Sequence, residues 1–323
     1  MVRAAVRPRP DARHRGADRY ADDADRASAW RIGRGRDNVE MTYPAEVSQA
    51  AENAGNVVLR PTDQSVVDWA DRARLALCAA AAVGYPPYVE RLSIHLDLLA
   101  DDAAAVVLDR GRWAELSETA RALLACACDP EETGLEPERL VIAAQVAGFT
   151  GFQARLSLGR DLAAHVVHSG ASSARFTVGG LPTADETFPE RRWVAPPVSP
   201  PPELREATAT LLPEADRELV ALAVSVVAGC EHGVSEHGRR HVRLSGDETT
   251  AVALATKGPG AVPGPRDRAI AQAATELART PCALAERDVS PLNSEDVHGV
   301  VAVAALSTWE TRLRTTLGRA GHP

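Results

Sequence analysis

Two stretches of this chain repeat each other, and the repetition constrains the fold more than any other feature. "ADRARLALCAAAAVG" (70–84) lines up with "ADRELVALAVSVVAG" (215–229), so that Ala70, Asp71, Arg72, Ala76, Leu77 and Gly84 each recur 145 residues on. Further along, "ETARALLA" (118–125) pairs with "PRDRAIAQ" (265–272). "LEPERLVIAAQVAGFTGFQARL" (135–156) pairs with "LNSEDVHGVVAVAALSTWETRL" (292–313), where Leu135, Arg155 and Leu156 meet Leu292, Arg312 and Leu313 at a shift of 157. The larger shift places an insertion in the second copy around "ATELARTPCALAERDVSP". Three matches in the same order predict a tandem duplication.

Each copy is helical by pattern. Asp71 and Asp216 stand where a carboxylate complements a helix N-terminus. Gly84 and Gly229 stand where a helix stops. The prolines of "YPPYVERLSIHLDLLA" suit the first turn of a new helix. Hydrophobic residues make up 45% of the chain but aromatics only 4%, so the core is built from Ala, Leu and Val, as close-packed helices require. The predicted class is all-α, with two tandem units forming an internal pseudo-dimer.

Outside the copies the composition changes. Residues 1–40 are dominated by Arg, Ala, Asp and Pro without a stripe of large apolar residues, and are expected to be a disordered extension, or an upstream segment ahead of a start at Met41. Residues 60–168 form the first unit and 204–320 the second. Between them, 169–203 is a Pro-rich crossover linker containing "RRWVAPPVSPPPELREA".

Charge and cysteine usage narrow the function classes. A net charge of −8 argues against nucleic acid as a partner, since phosphate binding needs a basic face. No apolar run reaches the length of a membrane span, and no signal-peptide pattern opens the chain. Five cysteines, odd in number and mostly in apolar helical contexts, do not make a secreted disulfide framework, so a cytoplasmic location is expected. Cys126 and Cys128 are read as core residues. Cys282, in the inserted region, is a distant partner thiol for Cys230 if one exists.

Chemistry concentrates in "AGCEHGVSEHGRRH" (228–241), which holds Cys230, His232, His237 and His241. Cys230 falls at a helix start, where free N–H groups and the dipole favour a thiolate. His237 and His241, four apart, share one face of that helix. If the chain reverses at Gly229, Glu218 lies about three turns before the break and His237 about two turns after it, within reach of each other. A carboxylate that orients a histidine makes a base. His232 is read as a loop histidine, and His241, beside Arg239 and Arg240, as part of an exposed face. Cys230, His232, His237 and His241 also have the residue types of a metal site, but not a familiar zinc spacing. The expectation is no cofactor and no metal.

The phrase "ADRELVALAVSVVAGCEHGVSEH" resembles the alkylhydroperoxidase D and carboxymuconolactone decarboxylase superfamily, an all-helical family. The peroxidase branch carries a glutamate, then Cys-x-x-Cys with a histidine inside the pair and another four residues after the second cysteine. The resemblance matches Glu218 to the relay glutamate, Cys230 to the first, resolving cysteine, His232 to the inner histidine and His237 to the following one. Arg155 and Arg312 resemble the arginine of a later family helix. Gly233 stands where the family has its attacking cysteine. In the first copy Ala73, Tyr85, Tyr88 and Leu92 replace glutamate, both cysteines and histidine. The decarboxylase branch lacks the cysteine pair and is similar in its acidic-plus-histidine site, matched here by the spacing of Glu231 and His237.

The resemblance implies a peroxidase-like thiol oxidoreductase with one site in the second copy: Cys230 as nucleophile, His237 as base, Glu218 orienting it, and His232 nearby. Its substrate would be a hydroperoxide and its reductant an external thiol. Two other readings stand beside it. One is proton transfer by Glu218 and His237 on a small carboxylated or lactone substrate. The other is a non-catalytic binding or assembly protein. Family members self-associate, so a homo-oligomer is expected.

Overall fold

The computed structural model describes residues 43–61, 63–97, 102–128, 134–166 and 199–320. The 1–40 block, and the crossover up to residue 198, lie outside them. Contacts divide the chain after Val39, and everything described belongs to the unit Glu40–Pro323. The described residues are helical and contain no strand, so the all-α class holds.

Helix α1 (Ala45–Leu59) precedes the first predicted unit. Then come α2 (Trp69–Val83), α3 (Pro86–Asp97), α4 (Ala103–Leu108), a 3-10 segment, α5 (Glu118–Cys128) and the long α6 (Pro137–Val166). After the crossover the same order returns. Short α7 (Pro202–Ala209) leads to α8 (Glu214–Val227), α9 (Glu231–Ser245), α10 (Glu248–Lys257), a 3-10 turn and α11 (Pro265–Ala278). Four-residue α12 (Glu286–Val289) has no counterpart among the described residues of the first series and falls inside the expected insertion. The second series closes with α13 (Ser294–Ala320).

Local chemistry explains the breaks. Asp68 caps α2 by accepting from the Asp71 N–H at 2.8 Å, and Gly84 ends it at φ 79°, a left-handed conformation that costs glycine little. Gly229 turns the chain from α8 into α9 at φ 62°. Asp247 caps α10 through the Thr250 N–H and hydroxyl.

The core runs along α6 and α13, packed against each other. α6 has 30 residues and α13 has 27. Their backbones approach closely because small residues face large ones. A Cβ on Gly148 would lie 2.1 Å from the Trp309 ring, and one on Gly159 would lie 2.3 Å from Val301. Trp309 is buried, stacks edge-on with Phe149 at 5.6 Å, and donates its indole N–H to Gln145 at 3.0 Å. Three aromatic rings, Phe149, Phe152 and Trp309, meet at this crossing, where they fill space that Ala and Val cannot.

Two buried arginines tie the series together. Arg155 on α6 donates to the carbonyls of Leu277 (2.8 Å), Ala278 (3.4 Å) and Arg279 (3.2 Å) at the end of α11. Arg312 on α13 donates to those of Cys126 (2.9 Å) and Ala127 (2.7 Å) at the end of α5. Last-turn carbonyls lack intrahelical partners, and a guanidinium satisfies several at once while complementing the dipole. Burial lowers the Arg155 pKa to about 10.

Candidate functional site

The site is built on the α8–α9 hairpin. Gly229 reverses the chain, so α9 returns along α8, and Glu218 and His237 meet. The His237 Nδ1 to Glu218 Oε2 distance is 2.7 Å, with the side chains 12% and 14% exposed. An ionised carboxylate can only accept, so Nδ1 carries the proton and donates, which in the neutral imidazole leaves the lone pair on Nε2. This is the geometry of an oriented imidazole base.

Around the pair lies a charged ring that sequence reasoning missed. Glu236 accepts from Arg240 at 2.6 Å, lies 3.3 Å from His232 Nε2 and 3.7 Å from Arg314 of α13. Arg240 also reaches Glu218 at 3.7 Å. Burial pushes the Glu236 carboxyl up, but Arg240, Arg314, His237 and His232 outweigh it and hold the group below the usual carboxylate range. The i,i+4 spacing of His232, Glu236 and Arg240 was a readable signal for one stripe of α9. Arg314 had none, because only tertiary packing brings it there.

Cys230 is the N-cap residue of α9 and is 3% exposed. Its N–H donates to the Ser225 carbonyl at 3.0 Å, and its own carbonyl accepts from Val234 at 2.9 Å. A Cβ built on Gly233 would lie 3.4 Å from the Cys230 sulfur but 2.4 Å from the Ser225 hydroxyl. Ser225, buried and donating to the Ala221 carbonyl at 2.8 Å, fills the space that a side chain at 233 would need. His237 follows Gly233 by one turn and Cys230 by about two, so the imidazole lies nearer position 233 than the thiol along the helix.

Several expectations change. His241 is not on an exposed face. It is 3% exposed, and its Nδ1 donates to the Ala215 carbonyl at 2.9 Å, because a residue four after His237 shares its α8-facing side. His232 is in the first turn of α9 rather than in a loop, half-buried against Glu236. Cys126 is core, but Cys128 is exposed, since two residues along a helix turn the side chain to another face. Cys282 sits with its N–H on the Val83 carbonyl (2.7 Å) and its sulfur on the Glu276 carbonyl (3.6 Å), which places it at the α2–α3 junction. Among the described residues no group of three or more His, Cys, Asp or Glu could hold a metal ion. The set Cys230, His232, His237 and His241 is not among any such group.

At the matching place in the first series, Ala73, Tyr85, Tyr88 and Leu92 are all buried. The Tyr85 hydroxyl donates to Asp161, and Arg91 lies over the Tyr88 ring at 4.7 Å. Packing fills these positions, and the imidazole this hairpin does carry, His95, lies elsewhere in it, edge-on to Trp69 at 5.5 Å. A groove of about 630 Å³ between α1 and α7, lined by Glu46, Gln49, Asn53, Glu203 and Glu206, shares no residue with the Glu218–His237 pair. No helix among the described residues is long and apolar enough to cross a membrane.

Comparison with known protein families, with characterised proteins and with solved structures finds no match for this chain.

Proposed function

We propose that the chain is a tandem, all-helical relative of the alkylhydroperoxidase D and carboxymuconolactone decarboxylase superfamily, its two units packed as an internal pseudo-dimer. In this reading its second unit performs proton transfer on a small carboxylated or lactone substrate. The observation that carries the reading is the 2.7 Å contact between Glu218 and His237. Glu218 fixes the tautomer, Nε2 accepts the proton, and the carboxylate stabilises the imidazolium that forms. Arg240 and Arg314 balance the carboxylates of Glu218 and Glu236 beside the imidazole. The tandem reading is supported by the repeated helix order and by the reciprocal placement of Arg155 and Arg312.

A second reading keeps the thiol chemistry. It is favoured by the position of Cys230 at the N-cap of α9, where a thiolate gains from the helix N-terminus. It is the weaker of the two because the sulfur is buried and two turns from His237.

The test is proton exchange. A panel of small keto acids and lactones is incubated in deuterated water with the protein, and exchange next to the carbonyl is followed by NMR. His237→Gln is expected to lower exchange by about 10²–10⁴-fold, the usual worth of a positioned base, and Cys230→Ser to leave it unchanged. Exchange that survives His237→Gln overturns the first reading. Hydroperoxide turnover that needs Cys230 establishes the second.

A further inference from the structure

The proposed function leaves one cluster of nucleophiles unused. Cys78, in the middle of α2, and Cys128, the last residue of α5, stand 50 positions apart in sequence, yet their sulfurs are 3.4 Å apart. Cys78 is 5% exposed and also lies 3.7 Å from the Leu124 carbonyl, whereas Cys128 is exposed. A buried thiol thus touches an accessible one across two packed helices. The sulfurs need to close from contact distance to the roughly 2.05 Å of a disulfide bond.

Arg312 adds a charge to this pair. Its guanidinium holds the Cys126 and Ala127 carbonyls, the two residues just before Cys128, while its Nε is buried and makes no hydrogen bond among the described residues. Burial pulls the Arg312 pKa down, and the neighbouring Cys126, Cys128 and Cys78 act against that. Its contact with Cys128 and its burial hold the Cys78 proton on firmly, while Cys128 is the sulfur that solvent reaches. A cation beside an accessible thiol is the setting in which a cysteine becomes nucleophilic.

We propose that Cys78 and Cys128 form a reversible dithiol–disulfide site, oxidised by hydroperoxides, with Cys128 attacking and Cys78 resolving. The Cys128 thiolate attacks one peroxide oxygen, the O–O bond breaks, an S–O bond forms, and the leaving alkoxide takes a proton and departs as alcohol or water. Cys78 then attacks the Cys128 sulfur, the S–O bond breaks, and hydroxide leaves as water with the Cys78 proton. Two thiols lose two electrons and two protons, and the peroxide is reduced by the same two electrons. A small dithiol such as dithiothreitol reverses the step by exchange. The site belongs to the first unit and does not depend on the Glu218–His237 reading.

The experiment uses the full chain, exposed to hydrogen peroxide, quenched by alkylation under denaturing conditions and mapped by mass spectrometry. Two of the five thiols are expected to disappear and a peptide linking Cys78 to Cys128 to appear, with dithiothreitol restoring both. In Cys78→Ser, the Cys128 sulfenic acid lacks its resolving thiol and should be trapped by dimedone, whereas in Cys128→Ser the buried Cys78 should stay unmodified. Linkage of Cys128 to Cys126 or Cys282 instead overturns the proposal. So does a Cys78–Cys128 pair that stays reduced at a peroxide dose that oxidises a small free thiol in the same tube. The map of the unaltered protein decides the matter even if a substituted chain fails to fold.

Discussion

Arg155 and Arg312, 157 positions apart, perform the same act in opposite directions: each leaves its own series of helices and binds the last carbonyls of a helix in the other. The two contacts are long-range and buried, and each holds a helix end that backbone hydrogen bonding cannot complete. Neither end is satisfied without the other half.

Removing either arginine should therefore destabilise the whole unit rather than one half. Arg155→Met leaves three carbonyls without their donor and is expected to cost about 3 kcal/mol or more. Arg155→Lys should recover little, because an ammonium cannot reproduce the planar fork. Urea unfolding followed by circular dichroism measures both, and a loss below about 1 kcal/mol counts against this role.

The α6–α13 crossing makes a separate prediction. Gly148→Ala forces a methyl into the buried Trp309 ring, which has no solvent side to move toward. A loss of about 1–3 kcal/mol is expected, visible as a lower melting temperature, with Trp309 fluorescence altered in the folded state. A melting temperature equal to that of the unaltered protein contradicts the packing described.

At Gly233 the prediction is one of coupling. Gly233→Cys alone collides with the Ser225 hydroxyl and should cost about 1–3 kcal/mol. Ser225→Gly alone weakens α8 by about 1 kcal/mol. Combined, the two should cost less than their sum. On oxidation the double variant should also link the Cys230 sulfur to the thiol introduced at position 233, read as a loss of two thiols beyond those the unaltered protein loses. Simple additivity of the two costs contradicts the idea that Ser225 occupies the space.

Acid sensitivity follows from His298. Its ring stacks edge-on with Tyr43 at 5.1 Å, its Nε2 has no hydrogen-bond partner among the described residues, and burial lowers its pKa. The unfolded chain, with a histidine pKa of about 6.5, then binds the proton more readily than the folded one, so stability is full above that pH and falls as pH drops below it. Melting curves between about pH 7.5 and 5.5 should show this slope, and His298→Gln should flatten it by less than one proton. An unchanged slope removes His298 from the account.

Much of the candidate site was legible because it is local. The glycine break, Cys230 at a helix start and the Glu218–His237 contact all follow from counting turns along one hairpin. What could not be read came from distant segments. Arg314 joins Glu236 from α13, Cys128 meets Cys78 across two helices, and Ser225 closes on Gly233 from the facing helix. His241 was misread for a related reason: its neighbours Arg239 and Arg240 are polar, but the helix phase and not the neighbours decides which way a side chain faces. The all-α class was legible from the helical pattern with its Gly and Pro breaks, whereas helix α1 lay beyond the repeat and gave no duplicate to compare.

Ser225 gives the Gly233 position a guard as well as a shape. A side chain gained at 233 first meets the serine hydroxyl, and a serine lost from 225 first leaves a hole. Either change alone destabilises before the other can compensate, so the two positions behave as a latch that takes two moves to open. One hydroxyl group keeps position 233 bare.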